Sequence, residues 1–270
     1  MAKTITMRTI FLSLLCFGQI VAAAAADTLT IARVESRLIV PTERGRGQIE
    51  CNLKADYPVG GAAALKTSIN EWIEETLGEV VAAESGEGAP VMSAVGNNFI
   101  EAANNEMAKA IIPQDRSFGL TLDVRLKREY ESSRALTMSL EIQRYGIDSV
   151  YTPINRCMTF VKASGNRLGW GDLFLTDTKS QTRLKNALVK QILRYFGMSN
   201  YDDLLSRLSL DPKPAQAKFP LSQLPPALTY GGLRVEYLPG ELAEGRTSII
   251  AFIPLGDIKS ALTQTAKKLL

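Results

Sequence analysis

The chain has 270 residues, 46% hydrophobic and 22% charged, which is enough apolar material for a sizeable core and excludes a globally disordered polymer. Thirty-one Lys and Arg against 28 Asp and Glu give a formal charge of only +3 with the basic residues scattered, so neither nucleic acid nor a membrane surface is indicated as a partner. Histidine is absent, which removes the usual general base and metal ligand of Ser, Cys and metal hydrolases; carboxylate pairs are the enzymatic chemistry left open, and no metal or cofactor is expected.

Residues 1–26 have the layout of a secretory signal peptide. Lys3 and Arg8 precede an apolar run from Ile10 to Val21, and Ala22 to Ala26 offer small residues before Asp27. An uncleaved anchor is the alternative, which Gln19 and the alanine-rich end disfavour. Cleavage leaves a formal charge of +1 and no later apolar stretch long enough to span a bilayer, so a periplasmic or secreted protein is expected. Export would also leave two cysteines, Cys51 and Cys157, in a compartment where thiols pair; a disulfide between them and two buried free thiols are both open readings.

The exported part begins with two alternating stretches. Leu29, Ile31, Leu38 and Val40 interleave with Arg33, Glu35 and Arg37, and after the turn "ERGRGQ" a second strand, Gln48 to Tyr57, carries Ile49, Cys51, Leu53 and Ala55 on one face. Pro58 and Gly60-Gly61 stop it. Leu65, Ile69, Trp72, Ile73 and Leu77 then recur at helical spacing, and Gly78 is expected to end that helix, with Trp72 in the core. From Ala82 to Gln114 a loop followed by a helix near Asn98 to Ile112 is expected. Phe118 to Leu126 and Leu136 to Ile142 alternate around "ESSR" and predict a long hairpin.

The loop "YGIDSVYTPIN" follows, then a strand from Arg156 to Lys162 and a tight turn at "ASGN". The next stretch, "GNRLGWGDLF", predicts a short extended piece from Leu168, close approach around Trp170 allowed by Gly169 and Gly171, and a helical turn with Asp172 as cap. Thr178 and Gln181 fit a capping box for a helix whose apolar stripe is Leu184, Leu188, Val189, Ile192, Leu193 and Phe196, ended by Gly197. A helix from Tyr201 to Leu208, a proline-rich connection from Pro212 to Pro226, strands Leu233 to Tyr237 and Ser248 to Ile253, and a terminal helix complete the chain. The expected class is α+β: an antiparallel sheet with helices packed mainly on one face and no doubly wound parallel sheet, organised as an N-terminal α+β part over 27–115 and a C-terminal one over 116–270.

The run "GNRLGWGDLF" followed by "LTYGGLRVEYLPGELAEG…IIAFIPLGDIKSAL" resembles the exported domain of the RsiV-type family. That domain is the extracytoplasmic lysozyme-sensing region of the sigma-V anti-sigma factor and also occurs in PdaC-type peptidoglycan deacetylases. Leu168, Asp172, Leu173 and Phe174 match the family's strand-to-helix motif, and Tyr237, Pro239, Glu241, Leu242 and Ala243 match its near-C-terminal motif, with Gly240 replacing an aromatic and Leu255 standing where Tyr is common. A family loop carrying histidine corresponds here to "RYGIDSVYTPINR", which has none. The resemblance implies a non-enzymatic binding module of the cell envelope whose partner is a lysozyme-like protein or a wall glycan. Tyr145, Asp148 and Tyr151 on the loop are the expected ligand contacts. A carboxylate-dependent cell-wall hydrolase using Asp172, Asp177 or Glu241, a deacetylase-associated accessory domain, and a structural envelope protein that oligomerises through a strand edge are the alternative readings.

Overall fold

The computed structural model of the chain describes residues 29–41, 48–85, 120–146, 149–150, 154–245 and 247–270. The expected signal peptide, the "ERGRG" part of the expected turn and the expected helix near Asn98 to Ile112 lie outside these.

A large sheet forms first. Strands β1 (Ile31–Pro41) and β2 (Gln48–Pro58) pair antiparallel, as their alternation predicts. Helix α1 (Ala63–Ser85) follows and the chain returns as β3 (Leu120–Glu131), which pairs parallel to β2, Cys51 opposite Leu122 and Leu53 opposite Val124. The sheet is therefore mixed, where antiparallel pairing throughout was expected; alternation reports which face a residue takes, not the direction of the neighbouring strand. β3 turns into β4 (Ala135–Gly146) as the predicted hairpin, and β4 carries on its other side β5 (Ser149–Val150) and β6 (Ile154–Val161).

Helix α1 continues through Gly78, which does not end it. A single interior glycine costs about 1 kcal/mol relative to alanine, and the residues after it, Glu79 to Ala83, carry no turn signal. Its apolar stripe, Leu65, Ile69, Trp72 and Ile73, covers one face of the sheet and packs on Cys51, Leu53, Ala55, Val124, Leu126, Leu136, Met138, Leu140 and Phe160. Trp72 meets Phe160 edge-on with ring centroids 5.9 Å apart, so it is a core residue as expected.

The second core lies beyond the other face. After β6 the chain makes a short turn α2 (Trp170–Leu173), the long helix α3 (Thr178–Phe196) and α4 (Tyr201–Arg207), then a three-stranded antiparallel sheet of β7 (Ala227–Thr229), β8 (Gly232–Tyr237) and β9 (Ile249–Pro254). The terminal segment breaks into α5 (Leu255–Ile258), a 3-10 turn at Lys259–Ala261 and α6 (Gln264–Leu269), where a single helix was expected. α3 lies along β9, and Leu184, Leu188, Val189 and Ile192 pack with Leu233, Val235, Tyr237, Ala251 and Ile253. The whole is an α+β fold, with the β2–β3 pairing joining residues on either side of position 115 in one sheet.

Caps differ in detail from the sequence reading. Asp177, not Thr178, caps α3 by accepting the Ser180 backbone N–H at 3.0 Å, and Gly197 closes the helix with φ +65°. Asp172 sits three residues after the N-cap Gly169 and accepts that residue's backbone N–H at 2.8 Å. The close approach falls at Gly165 (φ +74°) rather than at Gly169 or Gly171: a Cβ there would lie 2.4 Å from the Ala64 carbonyl oxygen, whereas at Gly171 it would meet nothing within 4 Å. The turn after β6 is thereby seated against the first turn of α1.

Candidate functional site

Because residues alternate across a strand, the face of the large sheet opposite α1 carries the polar positions of β1 to β4. In register these form rows: Arg37, Asn52, Asp123 and Gln143 in one, Glu35, Lys54, Arg125, Glu141 and Asn155 in the next. The rows are tied within themselves and to the positions beside them. Arg37 Nε donates to Glu50 Oε1 at 2.8 Å, Asn52 Nδ2 to Asp123 Oδ1 at 3.0 Å, and Lys127 Nζ to Glu141 Oε2 at 2.9 Å. The hydrogen bond from Arg37 lowers the Glu50 pKa, and that from Lys127 lowers the Glu141 pKa, so both are carboxylates at neutral pH. A groove of about 420 Å³ runs between the rows, lined by Glu35, Arg37, Glu50, Asn52, Asp123 and Arg125 among others, with both charge signs and no aromatic ring.

Tyr145, expected as a ligand contact, stands on this face at the end of β4. It is 51% exposed and its hydroxyl bonds Gln143. Asp148 and Tyr151 lie outside the described residues, and β5 brings Val150 opposite Tyr145. The two described residues Ser149 and Val150 thus pair with the strand that carries the polar rows.

Toward the opposite end the same face is covered by β7 and β8, and its polar residues become buried. Thr137 and Thr159 share a hydrogen bond of 2.9 Å, and Thr159 Oγ1 accepts the Leu228 backbone N–H at 2.9 Å. Glu236 on β8 is 3.0 Å from Arg234 and 4.0 Å from Arg156, in a cluster beside Cys157. Sequence reasoning missed this group, since Arg234 and Glu236 read as the outward positions of an amphipathic strand; only the packing of one sheet on another buries them.

Cys51 and Cys157 are both thiols, with no disulfide between them. Cys51 faces α1 from β2, while Cys157 stands opposite Ser139 on the other face, with β3 and β4 between their strands. Three strand spacings amount to about 14 Å, far beyond the Cα separation of up to about 6.8 Å that a disulfide tolerates. The bond admitted by composition is excluded by topology. Burial pushes the Cys51 thiol up to about 11 and the Cys157 thiol up to about 12, so neither is a nucleophile at neutral pH.

The motif residues are architectural. Leu168, Leu173 and Phe174 are buried in the second core, and Trp170 Nε1 donates to the Ser222 and Leu224 carbonyls at 2.9 and 3.1 Å. Tyr237 is buried with its hydroxyl on the Pro220 carbonyl at 2.8 Å, burial raising its pKa, and Pro239 leads into the turn after β8. The three carboxylates weighed for catalysis all receive backbone N–H groups: Asp172 that of Gly169, Asp177 that of Ser180, and Glu241 those of Gln223 and Leu238, each at 2.7 Å. Among the described residues no three His, Cys, Asp or Glu side chains are grouped to hold a metal ion, and no helix is long and apolar enough to cross a membrane.

No family model matches the sequence, and no curated protein matches it. Among solved structures the fold is similar to a member of the DUF3298 family from Bacteroides fragilis, at a TM-score of 0.57 and 12% identity over 89% of this chain and 96% of that one. It is also similar to a DUF3298 family protein from Pseudomonas aeruginosa, at a TM-score of 0.56 and 13% identity over 90% and 98%. At this identity the likeness is one of fold, spanning nearly the whole of both chains.

Proposed function

We propose that the chain is an exported, non-enzymatic binding module of the bacterial cell envelope, and that it recognises a protein of the lysozyme type through the open polar face of its large sheet. One observation carries the reading: the rows of charged and polar residues on β1 to β4 stay open to solvent beside Tyr145, while α1 covers the other face of the same sheet. Fixed charges of both signs, held in place by neighbours within the sheet, suit the polar rim of a protein partner. A wall glycan is less well served, because the groove offers no ring for a sugar to stack on.

The RsiV-type resemblance supports the partner class, and the similarity to DUF3298 structures is consistent with that fold. The carboxylate enzyme draws no support from Asp172, Asp177 and Glu241, whose backbone contacts serve turns and a helix start. Titration calorimetry of the chain from Asp27 onward, against lysozyme-type muramidases and soluble peptidoglycan fragments, tests the reading. Binding to a muramidase that is weakened by Arg125→Glu and Tyr145→Ala supports it. Binding to fragments alone, binding unchanged in both variants, or no binding at all overturns it.

A further inference from the structure

Strand β1 is an edge: it pairs with β2, and among the described residues no strand lies against its other side. Eleven residues of edge present a row of backbone N–H and C=O groups able to template another strand. What such a strand must carry can be read from β1 itself.

Around Ser36 the sequence "IARVESRLIVP" is complementary to its own reverse in charge at positions 35 and 37, Arg33 falling opposite the apolar Ile39. Antiparallel pairing about a two-fold axis at Ser36 overlaps all 11 residues. That register sets Glu35 opposite Arg37 of the second copy and Arg37 opposite Glu35 of the second copy, with Val34 opposite position 38 and Ala32 opposite position 40. Sliding by two residues one way brings Glu35 against Glu35 and Arg33 against Arg37, and sliding the other way brings Arg37 against Arg37. A slip by one turns polar positions toward apolar ones. The fully overlapped register is thus the one that pairs opposite charges, which favours it over its neighbours because like charges directly opposed are destabilising. Glu35 is available for this: it lies 3.8 Å from Arg33, with both side chains exposed. Arg37 already holds Glu50 and would stand between two carboxylates.

We propose that β1 pairs with β1 of a second copy of this chain about a two-fold axis at Ser36, joining two large sheets into one. Directly opposed residues of an antiparallel pair share a face, so the open polar faces of both copies come to lie on the same side.

Sedimentation equilibrium of the wild-type protein without any partner, compared with Glu35→Arg and Arg37→Glu, tests the pairing independently of the binding reading. The wild type is expected to dimerise in a concentration-dependent way, and each single change, which opposes like charges twice, to weaken the dimer at least about tenfold. An equimolar mixture of the two variants restores both opposite-charge pairs and should form a heterodimer of wild-type strength; so should the double variant carrying both changes, which also serves if one single variant folds poorly. A wild type that stays monomeric, single variants that dimerise undiminished, or a double variant no tighter than the single ones overturns the proposal.

Discussion

Replacing Gly165 by alanine should destabilise the fold far more than the size of one methyl suggests. The residue has φ +74°, and the added Cβ would lie 2.4 Å from the Ala64 carbonyl oxygen and 2.7 Å from its carbon, both backbone atoms of the first turn of α1. The left-handed conformation alone costs roughly 1–2 kcal/mol for a residue with a Cβ. Relieving a backbone clash of more than half an ångström requires the turn or the helix to move against a packed core, which adds roughly 1–3 kcal/mol by analogy with overpacking. Gly197→Ala is the control, since φ is +65° there and nothing stands within 4 Å. Urea unfolding of the two variants separates the conformational cost from the contact: Gly197→Ala should lose about 1–2 kcal/mol and Gly165→Ala about 2–5 kcal/mol. Equal losses, or a smaller loss at Gly165, would refute the argument that the β6 turn is seated on α1.

Tyr237→Phe leaves the Pro220 carbonyl without its donor in a buried setting, and thermal or urea denaturation should show a loss of about 1–3 kcal/mol. Asp177→Asn keeps a cap of the same shape but no longer titrates; the Ser180 hydrogen bond holds the Asp177 carboxyl below the usual range, so its contribution is present above a pH of about 4 and lost as the pH falls through the lowered value. The variant should show a shallower fall in stability on that acid limb, and an unchanged limb would count against the cap. Neither cysteine of the folded region should react with iodoacetamide at pH 8 until the protein is denatured, when both should be alkylated without prior reduction; a mass showing a Cys51–Cys157 bond would contradict the strand order.

Period-two patterning placed β1, β2, β3, β4, β8 and β9, and the period of α3 gave both its stripe and its end, because one buried face leaves a local imprint. Strand direction left none. The parallel return from α1 to β3 depends on what α1 can cover, and the same alternation would serve an antiparallel neighbour. Of the expected ligand contacts, Tyr145 alone falls within the described residues, and its surroundings were hidden for a related reason: Arg37, Asn52, Asp123 and Gln143 are scattered over more than a hundred positions and meet only through registers of four strands. The charged positions inside β1 to β4 are visible in the sequence only as the partners of an alternation. The resemblance drew attention instead to Leu168, Asp172 and Tyr237, which turn out to shape the second core.

Strand β6 has a role that its eight residues do not advertise. Phe160 belongs to the core under α1, while its neighbours Thr159 and Val161 face the layer built on β7 to β9. One ribbon of backbone is therefore a wall common to two rooms. A strand cannot lose its extended conformation for one neighbour and keep it for the other, so melting either core should remove a boundary of the second. Two hydrophobic interiors of this kind are expected to fail together, in one cooperative step rather than two.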